Sequence, residues 1–147
     1  MSSPVGLQPP PPVGTSLPSR VICQVREEDI RIVALLLRDP NPIHYDIDEV
    51  RRLGMGDRAI NQGGATMAYV MDAVVSWAGS RAHLRSIDCS FRGSVMAGDD
   101  VEVGGIVTDV RADGPDFLVT VDVWADVVGG RRAIAGTSTV VWHGGAS

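Results

Sequence analysis

The chain of 147 residues contains no lysine; all thirteen of its basic residues are arginine. Schiff-base chemistry and lysine-dependent phosphate loops are thereby excluded. Cysteine is almost as scarce, and Cys23 and Cys89 lack the close spacing of a redox or zinc motif, so both are expected to be buried thiols. The three histidines, His44, His83 and His143, are far apart, and no cysteine or histidine pair has ligand spacing, so no metal is expected. No GxSxG, Walker or dinucleotide-binding glycine motif occurs. No apolar run approaches the length of a membrane span, and the opening MSSPVGLQPPPPVGTSLPSR has neither the charged start nor the apolar centre of a secretory signal. A cytoplasmic protein without a membrane partner is expected. The net charge of -5 lacks the clustered positive charge that nucleic acids and anionic membranes require.

What is present suits one globular domain: 44% hydrophobic residues and enough length to bury a core. Residues 1–19 hold most of the nine prolines and little apolar periodicity, and read as a flexible arm outside the fold. Residues 20–147 form the domain. Residues 20–25 read as a short strand, and REEDIRIVALLL after them as a helix opened by acids and stopped by Pro40 and Pro42. In DIDEVRRLG, Asp46 and Glu49 have the spacing of a helix cap, with Gly54 as a stop.

The segment INQGGATMAYVMDAVVSWAG, residues 60–79, is a glycine pair followed by a helix apolar almost all the way round, interrupted mainly by Asp72 and Ser76. Such a helix is best accommodated with other elements wrapped around it. Beyond residue 79, Ile87, Cys89 and Phe91 alternate with polar residues, as do Phe117, Val119, Val121, Val123 and Val127. That alternation marks strands buried on one face. Two further strands and turns rich in glycine and aspartate complete what reads as a four-stranded antiparallel meander. The order of elements predicts an α+β fold in which a curved sheet encloses one hydrophobic helix.

Chemistry concentrates in RDPNPIHYD, residues 38–46. Its prolines fix φ and push Asp39 and Asn41 toward extended conformations, giving a stiff loop that carries a carboxylate and an imidazole. Such a loop can aim both groups at one substrate or water, as acid-base catalysis demands. It can equally be a turn in which Asp39 caps, Asn41 bonds its own backbone and His44 is half-buried. Gly63 and Gly64 open the apolar helix, where free N–H groups and the helix dipole suit a developing negative oxygen. A tight packing turn explains them as well. Asp72 is a third candidate carboxylate, or a buried aspartate bonded to neighbouring backbone or to a subunit partner.

The hexapeptide DPNPIH at residues 39–44, the Ile-x-x-Gly at residues 60–63 and the later FRGSVMAGDDVEVGGIVTDV resemble the MaoC-like, (R)-specific enoyl-CoA hydratase family. The resemblance implies a hot-dog fold, an antiparallel sheet wrapped around a long central α-helix, with sheets joined edge to edge in a homodimer or a heterodimer with another hot-dog subunit. It implies reversible addition of water to a trans-2-enoyl thioester of coenzyme A or acyl carrier protein, giving an (R)-3-hydroxyacyl thioester, without a cofactor. Asp39 and His44 would then hold the water and share the proton transfers. Asn41 would orient the loop, and the Gly63 and Gly64 amides would receive the thioester oxygen. The sequence departs from the family where members commonly carry a small Ser-Gly pair before the aspartate and His-Gly-Met at the helix start. Leu37-Arg38 and Gln62-Gly63-Gly64 stand there instead. Two rivals remain within the same fold: a silent subunit that shapes a partner's acyl tunnel, and a thioesterase using Asp72.

Overall fold

In a computed structural model, residues 9–79 and 82–144 are described. The order of elements is β1 (Arg20–Ile22), α1 (Glu27–Leu37), a 3₁₀ turn (Pro42–His44), α2 (Ile47–Arg52), α3 (Gly63–Ala78), then β2 (Ala82–Phe91), β3 (Val101–Asp113), β4 (Asp116–Val127) and β5 (Arg132–Trp142). All five strands form one antiparallel sheet. Alternation along the strands decides which face is dry. Val101, Val103 and Val107 of β3, Val119, Val121 and Val123 of β4, and Val140 of β5 point into one core with Val70, Ala73 and Val74 of α3. Register shifts after Leu84, Val107 and Ala125 bend the strands. A bulged strand twists more strongly, so the sheet can curve around α3. The arrangement is the curved sheet around one helix that the order of elements predicts, and the hot-dog fold that the family resemblance implies.

Three local expectations are corrected. The four long strands are not a simple meander, because the sheet order is β1-β3-β4-β5-β2. Only β3, β4 and β5 are joined in sequence; β2 crosses over to pair with β5, from Ala82 opposite Trp142 to Phe91 opposite Ile134. Period-two alternation reports which face of a strand is buried and carries no information about its neighbour. The central helix is also less enclosed than its composition suggests. Asp72 is exposed and pairs with Arg20 of β1 at 2.7 Å, while Val75 is 50% exposed. The thiols are not buried: Cys23 is exposed and Cys89 half-buried, with burial and the neighbouring Asp88 raising the Cys89 pKa.

The arm expected at residues 1–19 is partly inside the fold. Residues 1–8 lie outside the described residues, but residues 14–17 run antiparallel to β3. Gly14 N–H donates to Val107 O at 2.8 Å, Val107 N–H to Thr15 O at 2.8 Å and Leu17 N–H to Gly105 O at 2.9 Å. Leu17 joins the core at 6% exposure. Proline density in this region hid a pairing that needs only a few backbone groups. Leu17→Ala should therefore cost about 2 kcal/mol in urea unfolding, whereas a loose arm would leave the unfolding midpoint unmoved.

Helix α1 begins with Glu27, Glu28 and Asp29 at its positive end, and Glu27 ties to Arg31 one turn on at 2.6 Å. Its stop comes before the prolines. Arg38 adopts a left-handed conformation at φ 51°, its N–H donates to Leu35 O and the Asp39 N–H donates to Ala34 O. That is a Schellman turn with arginine where glycine is usual. Asp46 caps α2 by accepting from the N–H groups of Asp48 and Glu49, as its spacing indicates.

Candidate active site

The stiff loop and the start of α3 are held together by a buried connecting segment, residues 59–62. Ala59, Ile60, Asn61 and Gln62 are all buried. Ile60 N–H donates to Ile43 O at 3.0 Å, Asn61 N–H to Val95 O at 2.8 Å and Ala97 N–H to Ala59 O at 2.9 Å. These bonds fix the loop on one side and the approach to β3 on the other. Beyond the Ile-x-x-Gly at residues 60–63, the sequence marks this segment only by apolar Ala59 and Ile60 and the amide side chains just after them.

His44 is 5% exposed. Its Nδ1 lies 2.6 Å from Ile60 O and its Nε2 lies 3.0 Å from Asp39 Oδ2. A carbonyl oxygen can only accept, so Nδ1 carries a proton and donates it. Nε2 therefore faces the carboxylate with one proton to share between them, either on the ring or on the acid. The pair has a single mobile proton and a fixed orientation, and Asp39 remains partly accessible at 30% side-chain exposure.

Asn41 holds the other half of the carboxylate. Its backbone N–H donates to Asp39 Oδ1 at 3.0 Å, and its own side-chain oxygen accepts from Ile43 N–H at 3.3 Å. Tyr45 closes the loop with a hydroxyl donated to Pro40 O at 3.0 Å. The turn and the chemical reading of DPNPIH are therefore the same geometry: the turn bonds are what aim the acid and the imidazole.

Gly63 and Gly64 begin α3, and Gln62 before them makes no side-chain cap. The first N–H to bond back is that of Thr66, to Gln62 O at 3.1 Å. The amides of Gly63 and Gly64 are thus without intrahelical partners, at exposed residues. Gly63 lies under the Phe91 ring, where a Cβ would sit 3.0 Å from Cε1. No direct bond joins either glycine to Asp39 or His44 among the described residues; they are linked through Ile60, three residues before Gly63.

Asn61, Thr66 and Tyr69, polar residues not singled out from the sequence, gather here with Gln62. Buried Asn61 donates from Nδ2 to Thr66 Oγ1 at 3.1 Å and to the Tyr69 hydroxyl at 3.4 Å. Burial pushes the Tyr69 pKa up, with the Asn61 bond acting in the opposite sense. Gln62, in place of the family's histidine, donates from Nε2 to Ile30 O at 3.0 Å and so ties α1 to α3. Its Oε1 has no partner among the described residues. A groove of about 480 Å³ between α1 and α3 is walled by Val33, Leu37, Ala65 and Ala68, with Gly64 and Asn61 at its edge. Asp72 lies apart from all of these. Among the described residues no three histidine, cysteine or acidic side chains converge on a metal position, and no helix is long and apolar enough to cross a membrane.

A family model described as MaoC like domain matches residues 9–127, most of the chain. The chain belongs to the MaoC-like dehydratase family. No curated protein matches it. Among solved structures, this MaoC-like chain is similar to a chain of the ChsH1-ChsH2 complex from Mycobacterium tuberculosis, with 27% identity and TM-score 0.76 over 89% of this chain and 98% of that one. It also shares its fold with the (R)-hydratase from A. caviae involved in PHA biosynthesis, at 23% identity and TM-score 0.77 over 88% and 95% of the two chains. The HadBC (3R-hydroxyacyl-ACP dehydratase) complex of Mycobacterium tuberculosis has the same fold at 13% identity and TM-score 0.73, over 88% and 96%. MaoC-like membership supports hydration and dehydration as the reaction kind.

Proposed function

We propose that this MaoC-like protein hydrates trans-2-enoyl thioesters, and dehydrates (R)-3-hydroxyacyl thioesters in reverse, with Asp39 and His44 as the acid-base pair. The observation that carries this is the 3.0 Å contact between Asp39 Oδ2 and His44 Nε2, with Nδ1 locked on Ile60 O. A water held by the two groups loses one proton to the pair as its oxygen bonds to the β-carbon. The electrons of the double bond move to the thioester oxygen as an enolate, which the first-turn amides at Gly63 and Gly64 stabilise. A proton from the pair then reaches the α-carbon, and the added hydrogen and hydroxyl come from one face. Water is consumed, the carbon–sulfur bond is untouched and no redox step occurs.

A thioesterase built on Asp72 is disfavoured, because that carboxylate is exposed and engaged by Arg20 at 2.7 Å. Coenzyme A and acyl carrier protein thioesters both satisfy the chemistry. The chain is proposed to work in the cytoplasm as a pair of hot-dog subunits joined at the open edge of β2, the last strand in the sheet order. Likeness to a chain of the two-protein ChsH1-ChsH2 complex favours a second MaoC-like subunit as the partner. Purified protein given crotonyl-CoA should bleach the conjugated double bond without releasing free thiol. Thiol release with the double bond intact would sink the proposal. Activity that appears only when a second MaoC-like protein is added would assign the heteromeric form.

A further inference from the structure

The proposed hydration leaves Arg38 without a task. It is one of two described residues other than glycine with positive φ, a conformation strained for any side chain with a Cβ and filled at helix ends by glycine or asparagine. Arg20, Arg31, Arg58 and Arg132 each have a carboxylate partner. Arg38 has none among the described residues. Its neighbour Asp39 is already committed, Oδ2 to His44 and Oδ1 to the Asn41 N–H. Between the end of α1 and the DPNPIH loop lies a groove of about 560 Å³ that holds both Arg38 and Asp39, with apolar walls from Ala34, Leu35, Pro40 and Tyr45. The other guanidinium in it, Arg31, is tied to Glu27 at 2.6 Å.

The geometry points to Arg38 as an anion-recognition residue of the proposed active site, the groove beside Asp39 receiving a negatively charged oxygen group of the acyl thioester. This rests on the proposed thioester chemistry and adds to it the charge the substrate must carry. A free guanidinium matches the paired oxygens of a phosphate or a carboxylate with two parallel hydrogen bonds. Two parts of a thioester can supply them: the phosphates of the coenzyme A or carrier arm, or a carboxylate on the acyl chain. The apolar walls accommodate the carbon chain that either source brings with it. Arg38 acts on affinity, and the acid-base step stays with Asp39 and His44.

Unreactive saturated thioesters test this by calorimetric titration into wild type, Arg38→Gly and Arg38→Lys. Arg38→Gly should weaken binding of an anionic ligand about tenfold or more, the loss of a charge-assisted bond, with Arg38→Lys recovering part of it. If the phosphate is the partner, butyryl-CoA weakens and butyryl-pantetheine, which lacks phosphate, does not. If an acyl carboxylate is the partner, glutaryl-CoA weakens and butyryl-CoA does not. In both cases the thermal midpoint of Arg38→Gly equals or exceeds that of wild type, because glycine relieves the left-handed strain. Binding of all three ligands unchanged in Arg38→Gly, equal weakening of all three with a lowered midpoint, or no binding by wild type would overturn the assignment. Arg38-dependent binding by a protein that hydrates nothing would reject the reaction and keep the anion site. Hydration with Arg38-independent binding would do the reverse.

Discussion

Asp39→Asn and His44→Gln are each expected to lower kcat/KM for enoyl-thioester hydration by about one-hundredfold to ten-thousandfold, the range of a lost acid-base group, with little loss of folded protein. The asparagine case follows from the hydrogen-bond geometry. An amide at position 39 keeps the oxygen that accepts from the Asn41 N–H and turns its NH₂ toward His44 Nε2. The ring, still donating from Nδ1 to Ile60 O, then accepts at Nε2 and becomes neutral with no proton to exchange. The loop stays folded and the pair loses its mobile proton. Glutamine at position 44 retains a donor for Ile60 O, which alanine would leave unpaired in a buried site at a further cost of about 1–3 kcal/mol. Because the two groups act as one unit, the double variant should be no worse than the more impaired single one. A rate that falls less than about threefold in either single variant would remove that residue from the acid-base step.

Gly136→Ala is expected to have the largest effect on stability. Glycine at this position lies opposite Cys89 where β5 meets β2. A Cβ there would fall 2.2 Å from the backbone oxygen of Asp88 and 2.9 Å from the Cys89 Cα. Those atoms belong to the main chain of an edge strand, so relief requires β2 itself to move away from β5. The expected loss is about 3 kcal/mol, near the upper end for overpacking, or roughly 10 °C in thermal midpoint. Gly64→Ala is the control, since a Cβ at Gly64 meets nothing within 4 Å. An unchanged midpoint in Gly136→Ala would mean that β2 is not paired with β5 in this register.

These two cases also mark what the residues alone disclosed. The DPNPIH loop was legible because proline acts locally: fixed φ values at positions 40 and 42 force the turn, and the turn brings Asp39 to His44. The faces of β4 were legible because alternation of Val119, Val121 and Val123 with polar neighbours follows directly from the pleat. The crossing of β2 to β5 was not, since pairing partners are decided by long-range packing, and Gly136 looks like any other strand glycine until the Asp88 carbonyl lies against it. Burial of Asp72 did not follow from the apolar helix, because one flank of α3 is open in the single chain and Arg20 reaches across to it. Burial of Leu17 was hidden by the prolines around it, although proline forbids only its own N–H from pairing. The structural role of residues 59–62 was not legible, because the segment has no periodicity and works mainly through backbone bonds.

Gln62 shows why departures from a family pattern are informative. A histidine there would add a titratable group beside the first turn of α3. Glutamine instead spans to Ile30 O and couples α1 to the helix that opens with Gly63 and Gly64. On the proposed reading, Gln62 adds no proton to the chemistry assigned to Asp39 and His44.

The most direct measurement is a proton and deuterium NMR spectrum of crotonyl-CoA incubated with the wild-type protein in D₂O, alone and with a second MaoC-like subunit. The expected product is (R)-3-hydroxybutyryl-CoA with its thioester intact, one deuterium at the α-carbon and the new hydroxyl at the β-carbon, both added from the same face. Recovery of unchanged crotonyl-CoA under both conditions, or of crotonate and free coenzyme A, would contradict hydration by the Asp39–His44 pair.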